Sequence, residues 1–345
     1  MQLQSPGRAC LSLVAGLALL WPLAGRAAAQ NNQVNKEEVK FNTFDGVELH
    51  GTFYPGNGGA KSPCVLLVSK IGGNRQQAGW EDLALTLQKN DYSVLSFDFR
   101  GCNDSQTVDP NLFWRVPANL RFIKGANPRK MDISYKEFSP GYYPMLVNDL
   151  AAAKAYLDQR NNARDCNSGE LSVVGAEDGA AVTILWMFSE WNRRRFTRDA
   201  FNRLVPGTTL EGEDLNSGFW LSAPSSLAGV PLGGFLNRPI SEKVPMVFAY
   251  SKDDTKAATA AHYLDAFFKG KRLAKLSPEL PLGVQGSGSD LLGKTDPAKN
   301  EDTNAMIYHY LDHIRKDRTT NAWVQREAVP LYPIPLANYG FPNLR

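Results

Sequence analysis

Glu177 and Asp178 stand side by side in VVGAEDGAAV (173–182), between an apolar run that ends at Gly175 and small residues that resume at Gly179. A carboxylate there could attack an ester carbon or accept a proton. Either role needs a neighbour that exchanges protons near neutral pH, and histidine is the ordinary supplier. The chain has four histidines, His50, His262, His309 and His313, all far from this turn in sequence. His309 and His313 share a helix face at i, i+4, a spacing that suits a metal, but no third ligand accompanies them. Cys64, Cys102 and Cys166 form no C-x-x-C pair. The expectation is therefore no metal and no cofactor. Asp253 and Asp254 suit the cap of a helix beginning near Lys256.

These residues need a frame. VKFNTFDGVELHGTFYP reads as two strands around an Asp-Gly turn, and CVLLVSKIGGN as a buried strand entering a glycine turn. WEDLALTLQKN, MLVNDLAAAKAYLDQR, KAATAAHYLDAFF and DTNAMIYHYLDHIRK have helical spacing. YSVLSFDFRG, GFWLSAP and VPMVFAYSKDD are further strands, and ELSVVGAEDGAAVTILWMF is strand, tight turn and helix. Strands that are solid apolar runs alternating with helices predict an α/β fold, a doubly wound, mostly parallel sheet of about eight strands. Two long connections, 103–144 and 191–217, break the rhythm and are expected to be lid-like insertions or binding loops. Aromatics in FWRVPANLRF and SPGYYPM suit the first insertion's own core, and NRRRFTR (192–198) reads most simply as a solvated helix face.

In this order the segments resemble the α/β-hydrolase superfamily over about residues 38–316. FDGVELHGTFYP is similar to its first hairpin, FDFRGCNDS to its D-x-R-G-x-G-x-S turn, and VVGAEDGAA to its nucleophile elbow, G-x-S-x-G. AYSKDDTKAA resembles the strand and loop that carry the triad acid, and QGSGSDLL the late loop G-x-x-H-G-x-x-L-L. The resemblance implies Glu177 at the nucleophile position, Asp254 at the acid position, with Asp253 as the alternative register, and Ser287 where the histidine belongs. A shifted register would present Asp178, and some dehalogenase-like members do use an aspartate. The family's H-G-x-G-G corresponds to Ser69-Lys70-Ile71-Gly72-Gly73, which implies an oxyanion hole built from the backbone N–H groups of Ile71 and Asp178.

A covalent ester on a carboxylate must still be hydrolysed by an activated water, and Ser287 cannot hold a proton reversibly near neutral pH. Lys70 adds a long cation where the family has glycine; paired with Glu177, it would block the pocket. Glu177 would also face a helix N-terminus that favours negative charge. The resemblance sets Cys64 and Cys166 beside neighbouring strands, so a disulfide between them is allowed, with Cys102 left over.

Arg8, the apolar stretch LSLVAGLALLWPLAG and the small residues Ala27 and Ala29 read as a signal peptide over 1–29, cleaved before Gln30, then a polar leader to residue 37. This implies a secreted or periplasmic protein with no integral membrane segment after cleavage. Removing Arg8 and Arg26 takes Lys+Arg from 38 to 36 against 35 Asp+Glu, a net charge of +1. Chain-wide charge therefore argues for neither nucleic acid nor anionic lipid as partner. A proline-rich tail, 317–345, closes the chain. The expected function is a pseudo-hydrolase that binds a small molecule or protein. The alternatives are an active carboxylic-ester hydrolase with a rearranged site, and a structural or envelope-associated protein.

Overall fold

The structure, a computed structural model, describes residues 35–237, 239–317 and 321–344. The expected signal peptide, 1–29, lies outside the described residues. Among those described, no helix is long and apolar enough to cross a membrane.

The chain begins with a hairpin, β1 (Glu37–Asn42) and β2 (Glu48–Tyr54), followed by β3 (Pro63–Val68), α1 (Ala78–Lys89) and β4 (Ser93–Phe97). Two short helices, α2 (Pro110–Phe113) and α3 (Pro117–Phe122), lead to α4 (Val147–Asn162), β5 (Asn167–Ala176) and α5 (Glu177–Glu190). A hairpin of β6 (Arg194–Arg198) and β7 (Leu204–Leu210) precedes β8 (Leu215–Leu221) and the small pair β9 (Ser226–Leu227) and β10 (Val230–Pro231). The short α6 (Ile240–Lys243), β11 (Met246–Ser251), α7 (Thr255–Asp265), β12 (Glu279–Leu282) and α8 (Thr303–Asp317) complete it.

Eight strands form one sheet in the order β1-β2-β4-β3-β5-β8-β11-β12. β2 runs antiparallel to β1 and β4, and the other pairings are parallel. The predicted architecture is thus present. Alternation along β3 shows why its sequence is apolar throughout: Cys64, Leu66 and Val68 join the core beneath α4, α5 and the first insertion, while Val65 and Leu67 join the core beneath α1 and α8. A strand buried on both faces has no polar side to show.

Phe113, Trp114, Phe138 and Tyr142 of the first insertion are buried, but in the core shared with β3, α4 and α5 rather than in one of their own. A fully buried ion cluster ties the insertion to the sheet. Arg100, from the turn after β4, reaches Asp45 and Asp149 at 2.7 Å each, and Asp45 also accepts from Asn119 at 3.1 Å. The second insertion differs from expectation. NRRRFTR forms a turn and β6 rather than a helix face, because Phe196 and Thr197 pair with Pro206 and Val205 across the hairpin. It ends before residue 217, since β8 starts at Leu215. The tail has little regular structure yet is anchored: Asn162 and Arg326 exchange two hydrogen bonds, and Ile334 N–H donates to Asn148 at 3.0 Å.

Cys64 and Cys166 are not bridged. All three described cysteines are free and buried. Cys64 lies within β3, and burial, with the Cys166 thiol acting in the same direction, pushes the Cys64 thiol up. Cys166 Sγ is also directed at the Leu157 carbonyl, 3.7 Å away.

Candidate functional site

β5 ends at Ala176 and α5 starts at Glu177, so the chain reverses in one residue. Glu177 has φ +50°, a left-handed conformation that costs a side-chain-bearing residue on the order of 1–3 kcal/mol. The small flanks make it feasible. A Cβ on Gly179 would overlap the Ser69 carbonyl oxygen, and one on Gly175 would lie 3.0 Å from Ala180 Cα. This places Glu177, rather than Asp178, at the apex of the turn.

Glu177 points toward Lys70, with Nζ 3.5 Å from Oε2 and both side chains partly exposed. Burial raises the Glu177 carboxyl above the usual range, Lys70 pulls it down, and Asp178 pushes it up again. The carboxylate also fills space above the late loop. Gly288 has φ +54°, and a Cβ there would overlap Glu177 Oε1. A side chain at the position after Ser287 would therefore displace the Glu177 carboxyl from where it lies. The Gly288 N–H donates to Ser222 Oγ at 3.0 Å, and Ser222 itself has φ +51°.

Asp178 departs most from expectation. The expectation concerned its backbone N–H; its side chain is what meets the other expected donor, the Ile71 N–H. Ile71 N–H donates to Asp178 Oδ1 at 2.8 Å. Burial raises the Asp178 carboxyl, opposed by the N–H groups of Ile71 and Gly179. The first insertion closes over the same loop: the Tyr135 ring is so near Gly72 that a Cβ there would lie 2.5 Å from it. Gly72 N–H donates to Cys102 Sγ at 3.3 Å. The Ile71 N–H is thus taken by a carboxyl group of the chain itself.

Asp254 and Ser287 do come to this place. With Glu177, Asp178, Ser222 and Tyr263 they line a cavity of about 940 Å³ at the carboxyl ends of the strands. Asp254 is also occupied as the cap of α7, accepting the Ala257 N–H at 2.9 Å. No histidine lines the cavity. His50 bonds Glu48 at 3.1 Å, His262 bonds Glu279 at 3.1 Å, His309 bonds Glu301 at 2.5 Å, and His313 is exposed on α8. Among the described residues no group of three or more His, Cys, Asp or Glu could hold a metal.

Neither long insertion lines the cavity, against expectation; its walls come from residues 222–226 after β8, Pro231 and α7. Sequence reasoning missed Ser222, Gly288 and Tyr263. Ser222 follows its strand directly in FWLSAP, the one signal that could have placed it at the sheet's carboxyl edge.

The sheet order and the glutamate-bearing elbow define an α/β-hydrolase fold. Solved structures agree. The Pyrococcus furiosus esterase Pf2001 superposes with TM-score 0.52 at 14% identity, over 81% of this chain and 93% of that one. DcsB, solved in complex with its substrate analogue, superposes with TM-score 0.50 at 10% identity, over 82% of this chain and 100% of that one. No family model matches the chain, and no curated protein matches it.

Proposed function

We propose that this protein is an exported α/β-hydrolase-fold binding protein that holds a small-molecule or protein ligand at the old active-site mouth without turning it over. The observation that carries this reading is the 2.8 Å bond from Ile71 N–H to Asp178 Oδ1, which spends the oxyanion donor on the protein's own carboxylate. Acyl transfer depends on donors preorganised for a developing oxyanion, and losing one costs a factor of about 10²–10³. The absence of an imidazole from the cavity lining removes the proton carrier as well. What is left is an open cavity of about 940 Å³, within the size range of ligand pockets, lined by carboxylates, hydroxyls and the Tyr263 ring.

Two measurements test the reading. Hydrolysis of p-nitrophenyl acetate by the wild type should equal that of Glu177→Ala; turnover that the substitution abolishes would overturn the non-catalytic assignment. A fragment library screened by saturation-transfer NMR should give binders that Ala260→Trp, which fills the cavity, displaces. Fragments that bind wild type and Ala260→Trp equally would remove the mouth as the binding place.

A further inference from the structure

The β6–β7 hairpin carries a chemistry that the mouth does not use. It belongs to a sheet of its own, and none of its strand residues is buried. Between Asn192 and Leu204 it has five arginines against one aspartate, four net positive charges on a chain whose total is +3. Arg193 and Arg195 turn inward to Glu190 and Asp214, whereas Arg194, Arg198 and Arg203 face solvent. At the tip, Asp199 Oδ1 accepts the N–H groups of Phe201 and Arg203 at 2.8 and 3.0 Å, which fixes the turn. That turn presents Phe201, which at 78% is the most exposed large hydrophobic residue described. The Arg203 guanidinium lies 5.2 Å from its ring.

We propose that this arm docks the protein on an anionic lipid surface, with the Phe201 ring entering the interfacial layer and Arg194, Arg198 and Arg203 meeting lipid phosphates. An aromatic ring flanked by cations matches that boundary, where the ring is buried and long cationic side chains reach the headgroups. The exposed pairs Arg198–Glu327 and Arg203–Asp199 hold little energy against this exchange. A bilayer fits better than a protein partner, because the arm exposes a single large apolar side chain rather than a contiguous patch. The arm is no lid for the mouth. It follows the far end of α5, whose 14 residues carry it about 21 Å from Glu177.

The test is vesicle flotation with the chain from Gln30, which keeps the compact unit Asn35–Arg345 and removes the apolar leader from the readout. It should float with phosphatidylcholine vesicles containing about one third phosphatidylglycerol and stay behind with phosphatidylcholine alone. Arg194→Ser with Arg203→Ser should weaken partitioning about 25-fold, and Phe201→Ser about ten-fold, at unchanged thermal midpoints. Because the native thiols are buried, Ala200→Cys can carry an environment-sensitive fluorophore, which should brighten with the anionic vesicles only. Failure of the wild type to float, equal flotation with both vesicles, or arm variants that float as wild type would each overturn the proposal.

Discussion

Ile71 and Asp178 are joined by a hydrogen bond of 2.8 Å from backbone N–H to carboxylate, linking the loop after β3 to the first turn of α5. In an acyl-transfer enzyme these two backbones flank the space reserved for a substrate oxygen. Here a side chain from the elbow folds into it. The arrangement stabilises the loop, since a charged acceptor bonded to a backbone donor contributes more than a neutral pair. It also makes the hole unattractive to any second negative charge.

Replacing that side chain should reopen the hole. In Asp178→Ala the Ile71 amide loses its partner and gains exchange with water. Its proton resonance should move upfield and its hydrogen-exchange protection should drop, both readable by ¹⁵N-edited NMR. An unchanged Ile71 amide would show that the donor is not held by Asp178 in solution.

Restoring the missing nucleophile alone should restore nothing. Glu177→Ser places a hydroxyl at the apex, but no imidazole lines the cavity to take its proton and the Asp178 side chain still holds the Ile71 N–H. Hydrolysis of p-nitrophenyl acetate should remain at the uncatalysed level. A burst of nitrophenolate from this single variant would mean a base is present that the structure does not place there.

The elbow should tolerate no extra carbon at Gly179. A methyl group would run into the Ser69 carbonyl, which is backbone and cannot rotate away. Gly179→Ala should cost about 1–3 kcal/mol in urea unfolding, the range expected of a core clash. A loss below 1 kcal/mol would show that the turn relaxes easily.

Glu190 supplies a pH dependence. It sits at the C-terminal end of α5 with a side chain only 2% exposed, 3.2 Å from Arg193. Burial pushes its carboxyl up to about 7 from 4.5, with Arg193 pulling the other way. A folded-state value above the unfolded one means that its stabilising contribution is whole below pH 4.5 and disappears as the pH rises through 7. The loss should be on the order of 3 kcal/mol. Urea unfolding at pH 5 and pH 8 should show that difference in the wild type and not in Glu190→Gln. An equal pH effect in both would assign it to other groups.

The amino-acid order alone carried the architecture, because period and composition are local properties. Apolar runs such as CVLLV can be buried on both faces only in a parallel sheet between helices, and small residues at 175 and 179 mark the tight turn by themselves. That the late loop has no histidine was legible in the same way, since all four lie in a hairpin and two helices. Which atoms fill the vacated space was not. Ile71 and Asp178 are 107 positions apart, and nothing local says that one carboxylate turns down into the loop while its neighbour turns up toward Lys70. The same holds for NRRRFTR. As an isolated stretch it suits an exposed helix, and cross-strand pairing with residues 204–210 made it a strand. Side-chain direction and strand pairing are set by whichever neighbours the closed fold supplies, and those neighbours come from distant parts of the chain.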